Sequence, residues 1–134
     1  MKTKTALTLE DARTIAAAAE AEAVKNGWAV CIAVVDDGGH LLCLHRLDGA
    51  APISAQIAPA KARTAALGRR ESKTYEDMIN GGRTAFLSAP LEGMLEGGVP
   101  IVAEGQHVGA VGVSGVKSSE DVQIARAGIA ALGL

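Results

Sequence analysis

Aromatic side chains are almost missing from this chain: its 134 residues include one Trp, one Tyr and one Phe, at Trp28, Tyr75 and Phe86. A core must therefore be assembled from Ala, Val, Leu and Ile, which bury less surface per side chain than rings do. Self-association is one way to add burial to so small a chain. Cysteine is equally scarce. Cys31 and Cys43 are too few for a disulfide framework and read as buried thiols acting as small hydrophobes. No excess of one charge exists either; the net charge is -2 with mixed signs, which gives no basic stripe for a phosphate backbone and argues against nucleic acid as a partner. No stretch approaches the roughly 20 consecutive apolar residues of a membrane helix. The N-terminus, Met1-Lys2-Thr3-Lys4-Thr5, starts basic but runs into Glu10-Asp11 without the apolar segment of a signal peptide, so the expected location is the cytoplasm.

Several chemical motifs are missing as well. The chain has no G-x-x-x-x-G-K-S/T, no G-x-G-x-x-G opening a helix after a strand, no C-x-x-C and no H-E-x-x-H. Gly109-x-x-Gly112 lies inside a strand pattern, and Val113-Ser114-Gly115 lacks the spacing of a nucleophile elbow, so Ser114 reads as a small residue ending a strand.

What is present centres on Gly97 to Gly115. Two β-branched runs, Val99 to Ala103 and His107 to Val113, flank Glu104-Gly105-Gln106, the pattern of an antiparallel hairpin. Its second strand is poor in side-chain bulk, with Gly109, Ala110, Gly112 and Ser114 between valines. Glycine weakens a strand, so its repetition implies a close approach by backbone or ligand, and this strand is a candidate ligand-facing wall.

Around it the chain reads as one domain, 1–134. Thr8-Leu9-Glu10-Asp11 starts a helix over about 8–26, with apolar residues at helical spacing and Gly27 as the stop. Trp28 to Val35 is a continuous apolar run, read as a central strand covered on both faces. Asp36-Asp37-Gly38-Gly39 turns the chain into a partner strand from His40 to Arg46. A two-residue loop there places Cys31 and Cys43 on opposite faces of the sheet; a three-residue loop places them on one. Ser54 to Gly68 is helical, with a kink or break expected at Pro59. Ser72 to Asn80 adds a short helix, Leu91, Met94 and Leu95 suggest an edge strand, and Ser118-Ser119-Glu120-Asp121 opens a last helix over about 119–132. Tight turns between consecutive strands require antiparallel neighbours, and the class is α+β.

The ionisable candidates lie near strand and loop ends. Arg46 and Lys61 offer a planar fork and a point charge for a carboxylate, while Asp48 and Asp121 are nearby acids. The plainer reading is a structural ion pair such as Arg46 with Asp48. His40, His45 and His107 form no local metal motif, and each alone reads as a solvated strand-end residue. They are nonetheless the only imidazoles available to a metal or haem iron.

A-V-V-D-D-G-G-H-L from Ala33, R-L-D-G-A from Arg46, A-K-A-R-T-A from Ala60, G-G-V-P from Gly97 and G-A-V-G-V-S-G from Gly109 occur together in this order over nearly the whole chain. The chain thereby resembles the GlcG/HbpS-like family, which is related to the C-terminal domain of PduO cobalamin adenosyltransferases. The resemblance implies a five-stranded antiparallel sheet with helices on both faces, profilin-like or PAS-like, in the order α-β-β-α-(α)-β-β-β-α. It also implies homo-oligomers from dimer to octamer. Some members of the family bind haem, and others are encoded beside catabolic genes. Two functional expectations follow. One is a small-ligand or haem-binding protein, its pocket bounded by Arg46, Lys61, Gly97, Gly98 and Ser114, with His40, His45 or His107 as iron ligand. The other is an intracellular enzyme of organic-acid or aromatic-compound catabolism, performing an isomerase, hydrolytic or dehalogenating step on an unsaturated carboxylate. In that version Arg46 and Lys61 anchor the substrate, and Asp48 or Asp121 is the acid or base.

Overall fold

Thr8 caps the first helix as its position promised: Thr8 Oγ1 accepts from Asp11 N at 3.1 Å, and Asp11 Oδ2 accepts from Thr8 N at 3.0 Å. A computed structural model describes all residues from 1 to 134. Helix α1 spans Leu9–Lys25, and its buried stripe is Ala12, Ile15, Ala16, Ala19 and Ala23. Strands β1 (Cys31–Asp36) and β2 (Leu41–Arg46) follow, then helices α2 (Ser54–Gly68) and α3 (Lys73–Asn80) and a 3-10 turn over Thr84–Ser88. Strands β3 (Gly98–Ala103) and β4 (Gln106–Ser114) form the second hairpin, and α4 (Ser118–Ala130) closes the fold. No helix is long and apolar enough to cross a membrane.

The sheet has four antiparallel strands in the order β2-β1-β4-β3, not the expected five. The α+β class holds. The missing strand is the one expected around Leu91, Met94 and Leu95, and packing explains its loss. Gly93 lies so close to the Ala60 backbone of α2 that no side chain fits there. The Ser72 hydroxyl donates to the Leu95 carbonyl, and the three apolar residues line a groove with Glu76, Ile79 and Leu87. The segment is thus held by helices and offers its backbone to no strand.

Both hairpins are settled by local chemistry. In the β3–β4 loop Glu104 and Gly105 have φ of 53° and 73°, the pair of positive values that a two-residue type I′ turn requires. Gln106 already belongs to the strand, paired with Ala103. In the β1–β2 loop Asp36 Oδ1 accepts from the Gly38 and His40 amides, both at 2.9 Å, and fixes a longer loop than two residues. That loop pairs Val35 with Leu41, but a bulge shifts the register so that Val34 pairs with Cys43 and Cys31 with Arg46. The bulge restores the phase of a two-residue loop. Cys31 consequently packs under α2 and Cys43 against the opposite layer.

Helices cover both sheet faces. On one side α1 and α4 meet Val30, Ile32, Val34, Ile101, Val111 and Val113. On the other, α2 lays Ala58, Ala62, Ala65 and Ala66 against Cys31, Ala33, Val35 and Ala110. Both surfaces there are made of small residues, so helix and sheet approach closely. Helix α2 is continuous across Pro59, where a kink or break was expected. The bonds from Ser54 N to Ala51 O, Ala55 N to Pro52 O and Gln56 N to Ile53 O begin the helix as a 3-10 turn before the proline is reached.

Candidate functional site

Lys61 projects from α2 into the interior, and its Nζ donates to Asp121 Oδ2 and to the Val113 carbonyl, both at 3.0 Å. The side chains are 5% and 2% exposed. Asp121 Oδ1 accepts in turn from Val116 N at 3.3 Å. Burial pushes the Asp121 carboxyl up to about 6, against the opposing pull of the Lys61 charge and its hydrogen bond. The two residues therefore form a satisfied internal ion pair that joins α2 to α4 around the end of β4.

The glycines expected at a ligand wall enclose this pair and the helix that bears it. A side chain on Gly97 would meet Lys61 Nζ and Val113 O, each at 2.7 Å; one on Gly98 would overlap the Lys61 carbonyl; one on Gly112 would overlap Ala58 O. Ser72 Oγ accepts from Gly98 N at 2.8 Å and fixes the start of β3. Ser114 is buried at the end of β4, paired with Cys31. Protein backbone makes the close approach that the glycine pattern signalled. None of Lys61, Asp121, Gly97, Gly98 or Ser114 lines any of the five surface depressions.

Arg46 pairs with Cys31, whose other neighbour is Ser114, so it lies at the same end of the sheet, but both Arg46 and Asp48 are exposed and no ion pair joins them to each other or to Lys61 and Asp121. Asp48 lines a depression of about 400 Å³ with Val24, Gly27, Trp28, Ala29 and Leu47. The candidate metal ligands are not gathered. His40 is exposed in the β1–β2 loop, His45 lies on β2 and His107 on β4, and no group of three His, Cys, Asp or Glu side chains could hold a metal ion.

One imidazole has a partner that the sequence did not point to. His45 Nδ1 lies 3.4 Å from Glu20 Oε1 of α1, yet that nitrogen is buried and makes no aligned hydrogen bond. Glu20 and Val24 are one helical turn apart, and His45 and Leu47 are two residues apart, so the His45–Glu20 contact and the depression share one seam between α1 and β2. Val24 is 66% exposed there. Only the i,i+4 relation of Glu20 to an apolar neighbour hinted at this in the sequence. The depression itself is walled by Val24, Trp28 and Leu47 with Asp48 at its rim, and the His45–Glu20 contact lies next to it along the seam, outside its lining.

Comparison with known proteins places the chain. Protein GlcG of Escherichia coli K12 is 63% identical over 114 residues, 85% of each chain. HbpS of Streptomyces reticuli, solved as a double mutant, superposes with a TM-score of 0.89 at 37% identity, over 100% of this chain and 92% of its own. PduOC, solved in complex with haem, superposes with a TM-score of 0.84 at 27% identity, over 95% of each chain. Residues 7–130 match the family described as haem degrading protein HbpS-like, and with that match and these relatives the chain belongs to the HbpS-like family.

Proposed function

We propose that this protein binds haem in the seam between α1 and β2, with His45 as the iron ligand. The observation that carries the reading is the His45–Glu20 pair beside the depression walled by Val24, Trp28 and Leu47. Histidine ligands to metals ordinarily turn their second ring nitrogen to a carboxylate or carbonyl, which orients the ring and raises its basicity. With Nδ1 turned toward Glu20, Nε2 is the nitrogen left for iron. The wall suits one face of a porphyrin, and haem supplies a redox-active iron when bound. Membership of a family described as haem degrading, and the haem complex of PduOC, support the ligand class.

The seam is open on one side, and a second copy packed over the exposed Val24 would cover the other face of the ligand. This is how the expected self-association would join the binding. The catabolic-enzyme alternative gains nothing from the geometry: Lys61 and Asp121 are buried and committed to each other, while Arg46 and Asp48 are exposed and pair with neither.

Titration of the purified protein with haemin tests the proposal. A Soret shift is expected that His45→Ala abolishes and that His40→Ala and His107→Ala leave in place. Absence of a shift, or one unchanged in His45→Ala, would overturn it.

A further inference from the structure

At the opposite end of the sheet from the Lys61–Asp121 pair, four segments remote in sequence close a second, smaller pocket. They are the N-terminal strap at Lys4 and Thr5, the β1–β2 turn at Asp37, Arg69 just beyond α2, and Gln106 and His107 at the start of β4. The pocket measures about 230 Å³ and has no apolar lining residue. It is a built structure. Lys4 Nζ donates to Asp37 Oδ2 at 2.7 Å, Thr5 N to Gln106 Oε1 at 3.0 Å, and Thr5 Oγ1 to Glu104 Oε2 at 2.8 Å.

Two of its groups lack a partner within the fold. Arg69 occupies the left-handed position after α2, with φ 54° and ψ 40°, where glycine is the ordinary residue and an L side chain is strained. Its guanidinium joins none of the ion pairs of the chain; the Asp37 carboxyl is held below its ordinary range first by the Lys4 hydrogen bond, to which the Arg69 charge adds a smaller pull. His107 presents the second: its Nδ1 is buried and has no hydrogen-bond partner. An L side chain held in the left-handed region carries backbone strain of the kind that gathers at ligand sites. Asp37 already answers Lys4, and Arg69 is exposed with its guanidinium free to meet an anion.

We propose that this pocket is a binding site for a short, polar carboxylate, gripped by the Arg69 fork and hydrogen-bonded to His107. A planar carboxylate matches the guanidinium edge with two parallel bonds, which a lone point charge does not offer. The volume equals about eight waters at roughly 30 Å³ each, and the polar lining selects short hydroxy or dicarboxylic acids over aromatic or fatty ones. The site shares no lining residue with the haem seam, so the two proposals stand or fall separately.

Calorimetric titration of the full chain with malonate, acetate and inorganic phosphate tests it. Malonate is expected to bind, and Arg69→Gly to weaken it at least tenfold while leaving the thermal midpoint equal or higher, because glycine suits the left-handed position. Arg69→Lys keeps the charge without the fork and is expected to weaken binding as well. The ring resonances of His107 are expected to shift when malonate is added. The proposal is overturned if malonate shows no saturable binding up to about 10 mM, if phosphate binds more tightly than malonate, if either Arg69 variant binds as the wild type does, or if the His107 ring is unmoved.

Discussion

Lys61, carried by α2 on one face of the sheet, reaches around the end of β4 and places its Nζ 3.0 Å from Oδ2 of Asp121 on α4, which covers the other face. The two helical layers are joined through that contact as well as through the sheet. Both groups are nearly inaccessible, so each depends on the other to make its burial tolerable.

Breaking the pair from one side leaves the remaining group buried without its partner. Lys61→Met alone is expected to destabilise the fold by about 3–5 kcal/mol, whereas the double variant Lys61→Met with Asp121→Leu regains most of the loss. Urea unfolding of the two single variants and the double variant measures the coupling. Additive losses would show that the pair is not a unit.

The pH dependence follows from Asp121, whose carboxyl burial raises from 3.8 to about 6. The folded state holds this proton more tightly than the unfolded chain does. The contribution to stability is fully present below pH 3.8 and is lost as pH rises through about 6. Relative to an Asp121→Asn reference, the thermal midpoint of the wild type is expected to rise between pH 7.5 and pH 5, the interval about that value. A fall over the same interval would mean that the Lys61 charge outweighs burial.

Gly112 admits no side chain, since an added Cβ would overlap the Ala58 carbonyl and approach Ala62 N at 2.5 Å. Gly112→Ala is expected to lift α2 from the sheet and destabilise by about 1–3 kcal/mol or more, as overpacking does. Gly82, with nothing within 4 Å, is a control for the loss of glycine without crowding. Its φ of 108° makes backbone strain the only effect there. Comparable chemical-denaturation midpoints for the two alanine variants would remove the packing explanation.

Thr8 holds the first turn of α1 through the reciprocal bonds with Asp11. Thr8→Ala is expected to reduce stability by about 1 kcal/mol, and amide exchange is expected to quicken in the first turn before the rest of the helix. Unchanged exchange at residues 9–12 would show that tertiary contacts, not the cap, hold that end.

Much of the fold was legible because local chemistry decided it. The capping box at Thr8, the continuous apolar run of β1 and the Glu104-Gly105 turn are statements about neighbours in sequence. The fifth strand was not, because apolar residues at Leu91, Met94 and Leu95 satisfy a helix-lined groove as well as a sheet edge. The partnership of His45 with Glu20 was invisible for a related reason: helix periodicity gives the face on which Glu20 lies, but not which strand will run beneath it.

Local pattern was enough for the helices, for two hairpins with antiparallel neighbours and for a close approach at Gly109 and Gly112, since those depend on backbone freedom and side-chain volume, but not for the number of strands. Tertiary structure alone decided what approaches Gly112, namely the backbone of α2. It alone committed the buried Lys61 to Asp121 and left Arg46 and Asp48 exposed and unpaired with them, and brought Arg69 to His107 across 38 residues of chain, the difference between positions 107 and 69. The physical reason is the same in each case. Propensity and patterning act between near neighbours, whereas a site is made where the packing of layers brings distant residues to one place.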